Sequence, residues 1–307
     1  MFNAPGTEGA QNNLCMKRRR FLRAFITGGL GVAASPIIKA APAPSQVDPK
    51  VKPATNIDVA KAIPRTENSL PGKYPGKVVK VQHPNPITDG KADYEAAYEM
   101  VKQSLLELTG EKELSKAWLQ FFTPQDVIGI KVNPIAGKLL STSHAVTHAI
   151  IQQLEEAGIP RSNLVIWDRR QESLDDAGYT PENYPDIRIA STEWYDENKS
   201  YYNADGRLYS EDLIDKDQFF FADVEGEYDV YTLPFMVNGG KNSYFSKLCT
   251  QELTKIINVP VMKNAGTSIT VCMKNLGFGA ITNTQRLHTD FWHETCAYIC
   301  AFPPYTR

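Results

Sequence analysis

The sequence predicts an α/β fold: a mainly parallel sheet built from βαβ units, with an irregular aromatic-rich lobe inserted into it. Three observations carry that prediction. Short apolar runs of strand length alternate with segments whose apolar residues recur every three or four positions. One strand, helix and strand follow one another within about 40 residues, the length of a βαβ unit with its right-handed crossover. The regular pattern then breaks between Tyr195 and Phe245, where Tyr, Phe, Asp and Gly crowd together, and it returns at Lys255.

Residues 1–43 read as an export signal. Lys17 to Arg23 is a charged stretch, Ala24 to Ile38 is weakly apolar and diluted by Gly28, Gly29 and Gly31, and small residues with prolines follow at Ala40 to Ala43. That is the order of a signal peptide. The run Arg18-Arg19-Arg20-Phe21-Leu22 resembles the twin-arginine export motif, with Arg18, Arg19, Phe21 and Leu22 at its characteristic places and Lys17 and Arg23 departing from its usual form. A membrane anchor is the alternative, but the run falls short of the roughly 20 apolar residues that span a bilayer core. The motif implies the twin-arginine export machinery as partner and a periplasmic or otherwise extracytoplasmic location. That route carries folded proteins, often ones holding a cofactor. No second apolar stretch approaches spanning length, so the mature chain is expected to be soluble, with no stable transmembrane span.

Residues 44–76, rich in Pro, Lys, Thr and Asn without a period, read as an extended linker, and the domain proper as residues 77–307. Val78 to Val81 is predicted as a strand. Asp93 to Leu108 is predicted as a helix with Ala97, Val101, Leu105 and Leu108 on one stripe and Gly110 as its stop. Val127 to Val132 is a buried-type strand ending at Asn133-Pro134, followed by a loop from Ile135 to Ser143 rich in Gly and hydroxyls. Ser143 caps the next helix, whose inner face is Val146, Ala149, Ile150 and Leu154, and Gly158 ends it. Leu164 to Trp167 and Asp186 to Ala190 are further strands, and Tyr228 to Leu233 is one within the lobe. Ile256 to Val261 is another strand, after which a helix beginning at Thr267 or Ser268 carries Lys274, and a last helix runs from about Asp290 to Ala301. The chain then stops at Arg307 with nothing to finish the sheet, which reads as a truncated frame.

Composition narrows the function. The 307 residues hold 33 basic and 35 acidic side chains, and no basic stripe remains after residue 23, so nucleic acid is not expected as a partner. An apolar share of 42% with five Cys excludes a disordered chain and a disulfide-framework miniprotein. There is no Gly-rich dinucleotide fingerprint, phosphate loop, Gly-x-Ser-x-Gly elbow or four-Cys ferredoxin run.

In a parallel sheet, chemistry collects at the carboxyl ends of the strands. Lys131 and Asn133, Asp168 and Arg169, and Lys263 with Asn264 stand at three such ends. If the strands are neighbours, these groups line one crevice, where Ser141, Thr142 and Ser143 at a helix start hold an anionic group. The plainer alternative pairs Asp168 with Arg169 or makes it a helix cap, and leaves the lysines solvated. Lys263 and Lys274 stand out, because a lysine among apolar walls can serve as a base, a Schiff-base former or a cofactor attachment point. Lys274 lies within the apolar run Val271 to Leu276 and is followed by Asn275.

A second constellation is His288, His293, Cys296 and Cys300. Spacings of three and four place His293, Cys296 and Cys300 on one helix face, the outline of a metal or iron–sulfur site, although an inert packed stripe explains the two sulfurs equally. Positions four apart on a helix run parallel, so Cys296 and Cys300 are not expected to form a disulfide. Cys249 and Cys272 either pair or sit in the core.

The segment from Asp126 to Pro304 resembles the family known as domain of unknown function 362, in its twin-arginine-exported branch. The resemblance rests on Asp126 to Asn133, on Trp167-Asp168-Arg169, and on Ile257-Asn258-Val259-Pro260-Val261-Met262-Lys263 followed by Thr270 to Leu276. Some relatives carry an iron–sulfur module, and the βαβ start is similar in architecture to lactate racemase, a nickel enzyme. Together these readings point to an exported enzyme, redox or racemase-like and dependent on a metal or cofactor, acting on a small anionic substrate through Lys131, Asp168, Lys263, Lys274 and Asn275, with Asn133 and Arg169 helping to bind it. The rival readings are an electron-transfer or cofactor protein holding a metal ion or iron–sulfur cluster, and a non-catalytic periplasmic binding protein.

Overall fold

The computed structural model describes residues 52–224, 240–264, 269–288, 292–303 and 305–306, with Trp292 and His293 described by their backbone alone. All of these belong to the unit Gln46–Arg307. The chain passes through α1 (Ile57–Lys61), the hairpin β1 (Ile87–Thr88) and β2 (Lys91–Ala92), α2 (Tyr94–Thr109), α3 (Leu114–Leu119), β3 (Ile128–Lys131), α4 (Gly137–Leu140), α5 (His144–Glu156) and β4 (Leu164–Arg170). It continues through α6 (Gln171–Ala177), β5 (Arg188–Glu193), α7 (Ser210–Leu213), β6 (Ile214–Phe221) and β7 (Asn242–Ser246). Last come β8 (Lys255–Asn258), β9 (Lys263–Asn264), β10 (Ile269–Thr270), α8 (Cys272–Ala280) and α9 (Trp292–Ile299).

The centre is a four-stranded parallel sheet in the order β5-β4-β3-β8. It is the α/β architecture that the alternating pattern predicts. Both faces are covered, which is why β3 is buried along its whole length. Along β4, Leu164 and Ile166 join a core shared with Leu105, Trp118, Ile150 and Leu154, while Val165 and Trp167 join the opposite core with Phe245, Leu276, Phe278 and Ile299. The two-residue alternation of a strand sorts them. From β3 the chain steps outward to β4 and β5, then returns through an antiparallel pair, β6 and β7, to lay β8 on the other side of β3. The strand order therefore reverses between β3 and β8, and ligands of open α/β sheets bind beyond the carboxyl ends at such a switch point.

Local signals explain most boundaries. Asp93 caps α2 by accepting the Ala96 N–H at 2.8 Å, and Gly110 ends it at φ +77°, a conformation that favours glycine. Ser143 precedes α5 in extended backbone, but its hydroxyl makes no capping bond.

Several expectations are corrected. Residues 78–81 form no strand, since no described residue pairs with them, and Val78 is 89% exposed. The fold does not begin at Lys77: Asn56 donates to the Phe219 carbonyl and accepts the Phe221 N–H, Ala60 enters the core, and the Ser69 hydroxyl donates to the Thr306 carbonyl. A segment without periodicity is thus fastened by side-chain bonds that periodicity does not register. The loop after β3 contains α4. β8 stops at Asn258, short of Pro260, which has no N–H for the ladder. The helix carrying Lys274 starts at Cys272, because β9 and β10 pair as a hairpin before it. Residues 1–51, Tyr228 to Leu233, Thr267 and Ser268 lie outside the described residues, and with them Arg18, Arg19, Phe21 and Leu22. Among the described residues no helix is long and apolar enough to cross a membrane.

Candidate functional site

The carboxyl ends of β3 and β8 meet the first turns of α8 in a polar network. Lys131, the last residue of β3, is fully buried. Its side chain runs over Gly279, where a Cβ would lie 2.2 Å from Lys131 Cε, so α8 comes this close only with glycine at that position. Lys131 Nζ donates to the Val132 carbonyl at 2.7 Å, to Asn275 Oδ1 at 3.1 Å and to the Asp168 carboxylate, and it lies 5.3 Å from the Trp167 ring centre. Three acceptors meet the three N–H bonds of an ammonium. Burial pulls the Lys131 pKa down while Asp168 opposes it.

Asn275 is the hub. Its Oδ1 accepts from Lys131 and, at 3.0 Å, from Asn133 Nδ2, while its Nδ2 donates to Asn258 Oδ1 at 2.8 Å and to the Lys131 carbonyl at 3.3 Å. Its hydrogen-bonding capacity is filled, and a residue of α8 thereby joins β3 to β8. Thr142 performs a similar service: its hydroxyl donates to the Val259 carbonyl at 2.6 Å and accepts the Asn133 N–H at 2.8 Å.

At the outer side of this floor Lys263 Nζ donates to Asn133 Oδ1 and, at 3.1 Å, to the Ile135 carbonyl. Burial lowers its pKa, Asp168 opposes, and the positive charges of Lys274 and Lys131 lower it further. Lys274 is half-buried on α8, with Nζ 5.7 Å from the Phe278 ring centre, and burial lowers its pKa too.

Of the residues expected at the strand ends, the structure brings Lys131, Asn133, Asp168, Lys263 and Asn275 into one hydrogen-bonded group, with Lys274 close enough to act on Lys263 electrostatically. Asp168 pairs with Lys131 and not with its neighbour Arg169, because successive strand residues face opposite ways. Arg169 turns to Glu193 at 3.3 Å and to the Thr284 hydroxyl. Ser141 and Ser143 take no part in the network, and Thr142 is a buried brace. Asn258 and Gly279 were missed. The pair Gly277 and Gly279 within one helix is the signal that could have found the second, since glycine is costly there unless something approaches closely.

The second constellation does not assemble in the same way. Cys296 and Cys300 are buried, burial pushes both thiols up to about 12, and Cys300 Sγ donates to the Met273 carbonyl at 3.6 Å. His288 Nδ1 lies 2.9 Å from the Thr284 carbonyl, so this nitrogen carries the proton. Burial against Phe278 and then the charge of Lys274 lower the His288 pKa; the residue keeps an exposed edge, which limits the extent. The His293 side chain lies outside the described residues. Among the described residues no three of His, Cys, Asp and Glu gather as a metal site. Cys249 is buried, Cys272 is exposed, and the two form no disulfide with each other.

Two clefts lie elsewhere and contain none of the network residues. One of about 450 Å³ is lined by Tyr94, His148 and the Arg161–Glu155 ion pair, and the other, about 460 Å³, is an apolar groove between α2 and α5. Neither gathers converging charge as the switch point does. Comparisons with protein-family models, with curated proteins and with solved structures find no match.

Proposed function

We propose that this protein is an exported α/β enzyme that acts on a small anionic substrate at the carboxyl ends of β3 and β8. The observation that carries the reading is the charge arrangement there: the Asp168 carboxylate is engaged by Lys131, while Lys263, with neutral hydrogen-bond partners, lies within the field of Lys131 and Lys274. An anion approaching Lys263 and Lys274 meets positive potential. Lys263 and Lys274 bind the substrate, and Lys131, Asp168 and Asn275 form the rigid floor that positions them. The reaction class is redox or racemase-like, and membership of the family of domain of unknown function 362 is part of the same proposal, as are twin-arginine export and a periplasmic location.

Thermal unfolding of the mature protein with lactate, pyruvate and phosphate tests the site. Each anion that binds raises the midpoint, and Lys263→Ala and Lys274→Ala abolish the rise while leaving the ligand-free midpoint near that of the parent. Absence of any anion-dependent rise rejects the reading. Replacing Arg18 and Arg19 by Lys tests the export proposal, with cytoplasmic retention of the folded protein as the expected result.

A further inference from the structure

Two lysines at the switch point are chemically unlike. Lys131 is enclosed and has three acceptors, one of them a carboxylate, which is the complement of an ammonium. Lys263 is half-buried and has two acceptors among the described residues, Asn133 Oδ1 and the Ile135 carbonyl, both neutral. An uncharged amine, with two N–H donors and one lone pair, satisfies both acceptors. From this geometry we propose that Lys263 is a nucleophile that condenses with the carbonyl group of an anionic carbonyl compound to form an imine. This assignment rests on the anionic-substrate reading for the charge of its ligand.

The surroundings favour the amine form. The charged groups facing Lys263 are Asp168 from β4, Lys131 from β3 and Lys274 from α8. Asp168 acts against the amine form, but the positive charge of its partner Lys131 offsets it, which leaves burial and the charge of Lys274 to lower the Lys263 pKa. A desolvated lysine beside another cation is the usual way a protein prepares an amine for attack. The step balances without an oxidant. The Nζ lone pair forms the C–N bond as the carbonyl π pair moves to oxygen, a proton passes from nitrogen to that oxygen, and loss of the hydroxyl with the second amine proton releases water and leaves C=N. The positive field that draws the substrate's anionic group also stabilises the oxyanion formed on attack.

The test uses the folded mature chain. The protein is incubated at pH 7 with pyruvate and, separately, with pyridoxal 5′-phosphate, reduced with borohydride, and mapped by peptide mass. The expected result is one dominant adduct on Lys263, roughly tenfold above any other lysine. Lys263→Arg, whose guanidinium cannot form the imine, loses the adduct. Lys274→Gln, which removes a neighbouring positive charge, moves the labelling midpoint to higher pH. Adducts spread over exposed lysines, or a dominant adduct that survives Lys263→Arg, overturn the proposal. If labelling at Lys263 is absent while phosphate still raises the unfolding midpoint, the imine is rejected and the anion site stands; if neither occurs, both are rejected.

Discussion

Two clusters of reactive side chains face α8 from different directions. At the ends of β3 and β8, Lys131, Asn133 and Asn275 exchange hydrogen bonds until Lys131 and Asn275 have no capacity left. On α9, Cys296 and Cys300 lie in the core with Leu276, Ile299 and Phe302, where burial keeps them as thiols. The first cluster is polar and hydrogen-bonded throughout, with the half-buried Lys263 and Lys274 at its edge. The second is an apolar stripe that happens to contain sulfur. What separates them is what each faces: strand ends present converging polar groups, whereas a helix stripe presents whatever the core accepts.

The sharpest way to break this contrast is to cut the floor of the first cluster. Lys131→Met leaves Asp168 buried without its partner and is expected to cost about 3–5 kcal/mol in urea unfolding, with much of it regained when Asp168 is also made apolar. A cost below about 1 kcal/mol would show that the network holds nothing in place. Gly279→Ala is expected to cost about 1–3 kcal/mol, because the new methyl group displaces Lys131 from its three acceptors. It should also weaken phosphate binding, whereas a neutral Gly279→Ala would remove the reason given for that glycine.

For the second cluster the measurement is thiol reactivity in the folded protein. At pH 8 Cys272, the exposed thiol, is expected to react with a disulfide reagent, while Cys296 and Cys300 react only after unfolding. Rapid reaction of either buried thiol would point to thiolate character and revive a ligand role.

The smallest effect expected is in pH dependence. The Lys263 pKa lies below its ordinary 10.5 in the folded protein, so between the two values the unfolded chain binds more protons and native stability rises with pH. The difference in unfolding midpoint between the parent and Lys263→Met should shift in that sense from neutral pH toward 10.5. An opposite slope would mean that Lys263 gains, on folding, a partner for its charge.

Much of the site was legible before its geometry. Lys131, Asp168 and Lys263 were found because strand ends are visible as apolar runs closing on polar residues, and Asn275 because it follows a lysine in an apolar run. Arg169 was placed in the crevice for the same reason, but Glu193 on the adjacent strand claims it, and no local pattern pairs residues 24 positions apart. Asn258 was hidden because its role depends on α8 lying over it. The region before residue 77 was misjudged because its anchors are single hydrogen bonds, such as those of Asn56 and Ser69, and a composition count does not see them.

By itself, then, the sequence determined the central strands β3 and β4 and the helices α2 and α5, and hence the parallel α/β class, because burial on both faces of a strand and on one face of a helix writes a period that is local in the chain. Only the tertiary structure decided the placing of β8 against β3, the passage of Lys131 over Gly279, and the different hydrogen-bond partners of Lys131 and Lys263. Those depend on contacts between segments more than 100 residues apart, such as Lys131 with Asn275 and Asn133 with Lys263, and no local period records them.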